Sequence, residues 1–334
     1  MLAASSGPWL RVMALTVMAA GWGLHPTDTA AQGDARQWLA RMKAAAAGHN
    51  YQGVLVYSAG GVMSSSRVWH YRVDDSTYER LEAQDGRQQR IYRHNDEVRT
   101  VWPQTRTAID ERRETLPAWS TTPQPVDPRA AENYELRPEA GTRASRVAGR
   151  DATVIVLSPR DALRFAQRLW ADQATGMLLR ADVLAADGSV VESSAFSMIE
   201  FDVSPQPELV LQPLREEAGL RIVRPHNKRT RLEAEGWQLV RPVPGFALEG
   251  CVLRGSELGG KTAPMLQVVF SDGLTHVSVF VERFSAERHR SQAPARSGAT
   301  HTLARRTDDH WITVVGDVPE PALKLFAEAL ARRR

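Results

Sequence analysis

Between Arg146 and Phe201 the residues leave few choices of secondary structure. The chain reads R-V-A-G-R-D-A-T-V-I-V-L-S-P and then, from Arg164, R-F-A-Q-R-L-W-A-D-Q-A-T-G-M-L-L-R-A-D-V-L-A-A-D-G-S-V-V-E-S-S-A-F-S-M-I-E-F. Apolar and β-branched runs are broken at Gly149-Arg150-Asp151, Ala174-Thr175-Gly176 and Asp187-Gly188, the residues that tight turns between strands require. The spacing predicts an antiparallel meander of about four strands. Leu169, Met177, Leu179, Ala181 and Val183 fall at or near period two, with Arg168, Arg180 and Asp182 between them, so one face is expected apolar and the other wet.

The segments before this stretch repeat the pattern. Gly53–Tyr57, Ser66–Val73, Tyr78–Glu82, Gln88–His94 and Glu97–Trp102 read as strands separated by Asp74-Asp75, Asp85-Gly86 and Asn95-Asp96. A helix from Asp34 to about Ala47 carries Trp38, Leu39, Met42 and Ala46 on one stripe, with Asp34 as its cap and Gly48 closing it. Together these give an α+β, β-rich domain: one large, curved antiparallel sheet over residues 32–204, with helices. From Pro103 to about residue 133 the pattern dissolves among prolines 103, 117, 123, 125 and 128, which suggests a flap over the concave face, with a disordered segment as the equal alternative.

Residues 205–234, with Arg221, Arg224, Lys228, Arg229 and Arg231, read as a basic linker. Residues 235–334 form a second, smaller unit: strands at Gly236–Val240, Phe246–Leu253, Met265–Phe270, Thr275–Val281 and Trp311–Val315, with a hairpin turn at Ser271-Asp272-Gly273. A final helix starting near Pro319 carries Leu323, Phe326, Ala327 and Leu330 on one stripe and ends in Arg332-Arg333-Arg334.

The first 31 residues have a different character. Arg11 precedes the apolar run Val12–Ala20, and Thr29-Ala30-Ala31 supplies small residues, the layout of a cleavable export signal cut after Ala31. Gln32 rather than cysteine follows, which argues against a lipoprotein. No later segment is long and apolar enough to span a bilayer. The single cysteine, Cys251, cannot form an intramolecular disulfide and sits in the apolar run Phe246–Leu253, so it reads as a small buried hydrophobe, with an intermolecular bridge as the other option. A formal net charge of +3, carried mostly by arginine, favours anionic partners, and export argues against nucleic acid.

Catalytic signals are weak. Gly255-Ser-Glu-Leu-Gly-Gly260-Lys261-Thr262 matches a P-loop in letters, but Ala263-Pro264 and a β-rich run follow where the phosphate-binding helix should begin. The histidines show no metal-ligand spacing, no Gly-x-Ser-x-Gly elbow is present, and no cofactor, metal site or enzyme activity is expected. Trp69, Trp102, Trp119 and Trp170 are candidates for an apolar groove, against the alternative that each packs in a core.

Tyr51–Tyr57, Glu79-Arg-Leu81 with Asp85-Gly86, Asp96-Glu-Val98 ending at Trp102-Pro103, Arg146–Arg150, Leu169–Asp172 and Thr175–Arg180 resemble the N-terminal blocks of the MucB/RseB family. Gly245-Phe246, Phe270–Phe280, Gly298-Ala299 and Val314–Pro319 resemble its second domain. The resemblance implies a periplasmic regulator of an envelope-stress sigma factor. Such a protein binds the periplasmic domain of a membrane-anchored anti-sigma factor, shields it from regulated proteolysis, and releases it when lipid or lipopolysaccharide-like signals bind. It also implies a large domain similar to the LolA/LolB lipoprotein carriers, a half-open β-barrel, and a small domain that docks the partner. A lipoprotein or lipid carrier without a regulatory role is the alternative, and self-association is left open. On this reading the expected partner contacts are Phe270, Ser271, Asp272, Gly273, Val277, Val279 and Phe280, with Arg224 and Arg229 nearby. The expected lipid contacts are Val54, Val56, Trp69, Trp102, Trp119 and Leu179.

Overall fold

Strand alternation sets the faces of the first domain. In β1 (Tyr51–Ala59) Tyr51, Gly53 and Leu55 are buried, while Gln52, Val54 and Val56 are half-buried on the opposite face. Gly53 is required here: a Cβ at this position would lie 2.4 Å from the carbonyl oxygen of Met198, where a bulge brings the two strands close. The computed structural model describes residues 27–112, 127–139, 145–255, 264–289 and 294–333. The expected export signal through residue 26, Trp119 and residues 256–262 of the P-loop-like stretch lie outside them.

β1 is flanked by β2 (Val62–Val73) and, in order outward, β3 (Ser76–Ala83), β4 (Arg90–His94), β5 (Glu97–Trp102) and β6 (Thr107–Arg112). On its other side lie β12 (Val190–Phe201), β11 (Leu178–Leu184), β10 (Ala166–Asp172) and β9 (Arg150–Pro159), with β7 (Tyr134–Pro138) and β8 (Ser145–Val147) pairing on β9. The ends of this curved thirteen-stranded sheet do not meet, so it is half-open. The meander expected from Arg146 to Phe201 is β9 to β12.

Each face has its own helix. α1 (Thr27–Gly48) buries Leu39, Met42 and Ala45 against Leu55, Leu157, Leu169 and Leu179. Trp38 and Ala46, expected on that stripe, are half-buried. The helix begins before Asp34, so that residue is not its cap. The opposite face is covered at β4–β6 by α3 (Glu208–Arg215), where Val210 packs on Tyr92, Val101 and Ala108. Arg99, 3% exposed, fixes this helix: it forks onto Asp110 at 2.6 and 2.8 Å and donates to the carbonyls of Pro213 and Glu216 at the helix end.

The expected linker therefore carries structure of its own. α3 lies on the first sheet, β13 (Arg221–Val223) adds to it in parallel beside β6, and β14 (Lys228–Thr230) is an edge of the second sheet. The expected flap likewise contains β6 and the short α2 (Ala130–Asn133).

The second domain is a seven-stranded sheet: β14, β16 (Ala247–Arg254), β17 (Met265–Ser271), β18 (His276–Arg283), β21 (His310–Gly316), β20 (Thr300–Thr307) and β19 (Ala295–Ser297). α4 (Glu320–Ala329) lays Leu323, Phe326 and Ala327 on Phe270, Val277, Val279 and Val314. Leu330 does not continue the helical stripe; it opens β22 (Leu330–Arg332), which pairs with β15 (Trp237–Leu239). Among the described residues no helix is long and apolar enough to cross a membrane.

Candidate functional site: the joint between the domains

The turn between β17 and β18 is built to present one carboxylate. Asp272 Oδ1 accepts the backbone N–H of Leu274 at 3.0 Å and of Thr275 at 2.7 Å, and Ser271 Oγ accepts from Gly273. That leaves Oδ2 facing the first domain. Arg164, in the loop between β9 and β10, donates to it from Nε at 2.7 Å, and Tyr134 Oη donates to it at 3.2 Å. The side chains of Arg164 and Asp272 are both fully buried.

The guanidinium is used on every side. It also pairs with Asp161, donates to the Pro244 carbonyl at 2.9 Å, and lies over the Phe246 ring at 4.5 Å. Around it Asn133 donates to the carbonyls of Gly245 and Asp272, and the Asp127 N–H reaches Gly273 O at 2.8 Å. Burial, and then the charge of Asp272, pushes the Tyr134 hydroxyl well above the usual tyrosine value, so it stays a donor. Leu163 of the first domain packs on the core of the second, and Leu274 of the second packs on the core of the first. The two domains are thus locked by a saturated polar knot between two exchanged leucines.

The expected partner contacts fall mostly inside this construction. Phe270, Val277 and Val279 are 1%, 0% and 0% exposed because they are the sheet face under α4, and Phe280 is half-buried on the other face. Ser271, Asp272 and Gly273 are buried at the joint, so the conspicuous Ser-Asp-Gly turn contacts the chain's own first domain and offers no open surface. Arg224 pairs with Asp110 and Glu217 on the first domain, away from the turn's own partners, and Arg229 lies on edge strand β14. Arg164 and Tyr134, absent from the residues expected from the sequence, are the ones whose side chains meet the Asp272 carboxylate.

The expected lipid contacts divide between two faces. Register puts Val54 opposite Arg67 and Met198, and Val56 opposite Ser65 and Ala195, on the face that α1 does not cover. Trp69 shares that face, 7% exposed because Arg67 and Arg80 lie over its ring at 4.9 and 4.8 Å. Met198 and Met63, 43% and 71% exposed, extend the apolar surface. Leu179, by contrast, is 0% exposed under α1 on the opposite face, and the register places half-buried Trp102 on that face too. Of the expected lipid contacts, Val54, Val56 and Trp69 therefore share the face of β1 and β2 that α1 leaves uncovered, and Leu179 belongs to the core.

The sequence matches the MucB/RseB N-terminal domain over residues 34–215 and the MucB/RseB C-terminal domain over residues 231–331. It is 29% identical over 311 residues to the sigma factor AlgU regulatory protein MucB of Pseudomonas aeruginosa, across 90% of this chain and 93% of that one. It is 26% identical over 299 residues to the sigma-E factor regulatory protein RseB of Salmonella typhimurium, across 88% and 90%. The fold is similar to MucB solved in complex with MucA from P. aeruginosa, with a TM-score of 0.67, 26% identity, and coverage of 90% of this chain and 99% of that one.

Proposed function

The chain belongs to the MucB/RseB family, and from that premise we propose that it is a periplasmic negative regulator of a sigma-E-type stress response that acts by holding the periplasmic domain of a membrane-anchored anti-sigma factor. One observation carries the reading: the likeness to MucB in complex with MucA runs through both domains, in order, over nine-tenths of the chain. Binding in this way shields the anti-sigma factor from regulated proteolysis.

Release follows from linkage. A ligand that favours one arrangement of the two domains weakens a partner that favours another. The ligand we assign is an amphiphile with acyl chains, lipopolysaccharide being the example, seated on the uncovered face at Val54, Val56 and Met198. An apolar strip beside the Arg67–Trp69–Arg80 stack supports this assignment, since it matches a chain and an anionic head together.

The test is capture from membrane extract by the full chain, repeated after addition of lipopolysaccharide. Retention of a single-pass membrane protein that the lipid displaces supports the reading. Recovery of acylated lipoproteins alone would instead make the protein a carrier. Met198→Asp keeps partner capture and loses displacement by lipid if the face is correctly assigned; displacement that survives this change removes the face from the mechanism.

A further inference from the structure

One end of the first sheet holds apolar side chains in water. β1 and β2 are joined by Gly60 and Gly61, both at positive φ (+57° and +81°), the backbone of the tightest two-residue hairpin turns. Immediately after the turn Val62 and Met63 are 70% and 71% exposed, more than any other large apolar side chain among the described residues. Val190, 48% exposed, stands at the same end: it lies two residues before Glu192, which pairs with Ala59, and Ala59 also pairs with Val62. The hairpin is braced on one side, since Gly298 in the turn between β19 and β20 packs on it so closely that a Cβ there would stand 2.6 Å from the Cβ of Ala59. Its end projects clear, because a Cβ on Gly61 would meet nothing within 4 Å.

Two features choose what can cover this end. Val62 lies opposite Ala59 and Met63 opposite Ser58, so the two side chains leave on opposite faces of the hairpin. A folded partner laid on one face leaves the other in water, whereas a fluid lipid interface closes round both. Second, Tyr57-Ser-Ala-Gly-Gly-Val-Met-Ser-Ser-Ser66 contains no charged residue in a chain that is 24% charged, so the end can leave water without stranding an ion. Behind it the chemistry changes as an interface requires. Tyr57, 37% exposed, sits about 10 Å back from the turn with an amphipathic ring at headgroup depth. Arg296, exposed on β19 beside the bracing turn, supplies a cation for lipid phosphate.

We propose that this hairpin end is a membrane-docking tip: Val62, Met63 and Val190 enter the interfacial layer of a phospholipid bilayer and hold the chain at its surface without spanning it. Docking of this kind requires neither the anti-sigma partner nor the amphiphile at Val54 and Val56.

The test uses the chain as recovered after export, without the expected signal segment, whose apolar run would itself bind lipid. A polarity-sensitive dye is attached at Val62→Cys and, in a second protein, at Leu248→Cys, an exposed site on β16 toward the other edge of the second sheet from β19, with Cys251→Ala in both. The probe is vesicles of phosphatidylethanolamine and phosphatidylglycerol. On their addition the dye at position 62 is expected to shift to the blue and to escape an aqueous quencher, while the dye at 248 does neither. Val62→Ser combined with Met63→Ser is expected to lower partitioning onto the vesicles by about tenfold or more, the loss for aliphatic side chains that no longer leave water. Partitioning of the parent is expected to survive high salt; its loss there would assign binding to arginine charge and overturn the proposal. Equal responses from the two dyes overturn it as well. Partitioning lost in Met198→Asp but kept in the double serine variant would place the bilayer on the sheet face and remove the tip, with the amphiphile site intact. Shielding of position 62 that rises with protein concentration before any vesicle is added would assign the tip to a second copy of the chain, again overturning it. Circular dichroism confirms that each variant is folded.

Discussion

Arg164 and Asp272 come from different domains and meet at 2.7 Å with neither side chain open to water. A buried charge that loses its partner costs far more than the pair contributes, so this contact specifies one arrangement of the domains more than it adds stability. Arg164→Met leaves the Asp272 carboxylate buried and is expected to destabilise the protein by about 3–5 kcal/mol in chemical denaturation. Arg164→Met combined with Asp272→Leu is expected to recover part of that loss, since no charge is then stranded. A double variant no more stable than the single one rejects the reading of this pair as an orienting device.

Gly245 makes the same joint sensitive to a single methyl group. Its φ is +72°, and a Cβ there would stand 2.2 Å from both Arg164 Nη2 and Asn133 Oδ1. Gly245→Ala therefore meets left-handed backbone strain and a clash together, with an expected cost upward of about 1 kcal/mol. Because the clash falls on the knot and not on a core, domain separation is expected to rise before the secondary structure melts. Scattering and circular dichroism recorded over the same denaturant series would resolve the two steps.

What the sequence made legible was local. Turn residues and period-two alternation located β1 to β5, β9 to β12 and β15 to β18 because each strand carries its own apolar pattern. The short or polar strands β13, β14 and β20 lack such a pattern, and their pairing depends on neighbours distant in the chain. The Ser271-Asp272-Gly273 turn was visible as a feature, but its task was not. An exposed turn and a turn inserted into another domain use the same residues, and the arginine that distinguishes them lies 108 positions away. The wet face expected for β11 was also only partly so, because Asp182 is 1% exposed beneath the Arg180 fork at 2.7 and 2.8 Å.

Acid sensitivity is expected from the turn after β10. Asp172, 1% exposed, accepts from Arg150 Nε at 2.6 Å and from both the N–H and the hydroxyl of Thr175. Burial alone would raise its pKa, but these hydrogen bonds outweigh it and hold the carboxyl below the usual aspartate range. A depressed folded-state value means that the stability contribution is present above the unfolded value, about 3.9, and is lost as the pH falls through the folded one. Arg150→Gln removes the strongest of the opposing bonds, so its acid-unfolding midpoint is expected to move to higher pH, measured by tryptophan fluorescence. An unshifted midpoint would mean that the Thr175 bonds alone hold the carboxylate.

Cys251 gives a probe of the second domain that needs no substitution. Burial pushes its thiol up to about 11, and the neighbouring Glu233 and Glu235 charges add to the shift against the opposing Leu232 backbone hydrogen bond. Only the thiolate attacks a disulfide reagent, so in the folded protein near neutral pH the side chain is both shielded and protonated. Labelling must then proceed through opening of the strand pair β14–β16, where Cys251 faces Thr230. The expected outcome is slow modification that accelerates with denaturant along the unfolding curve of the second domain. Rapid modification of the native protein would show that the β14 edge opens independently of that domain, and would leave Cys251 accessible for an intermolecular bridge.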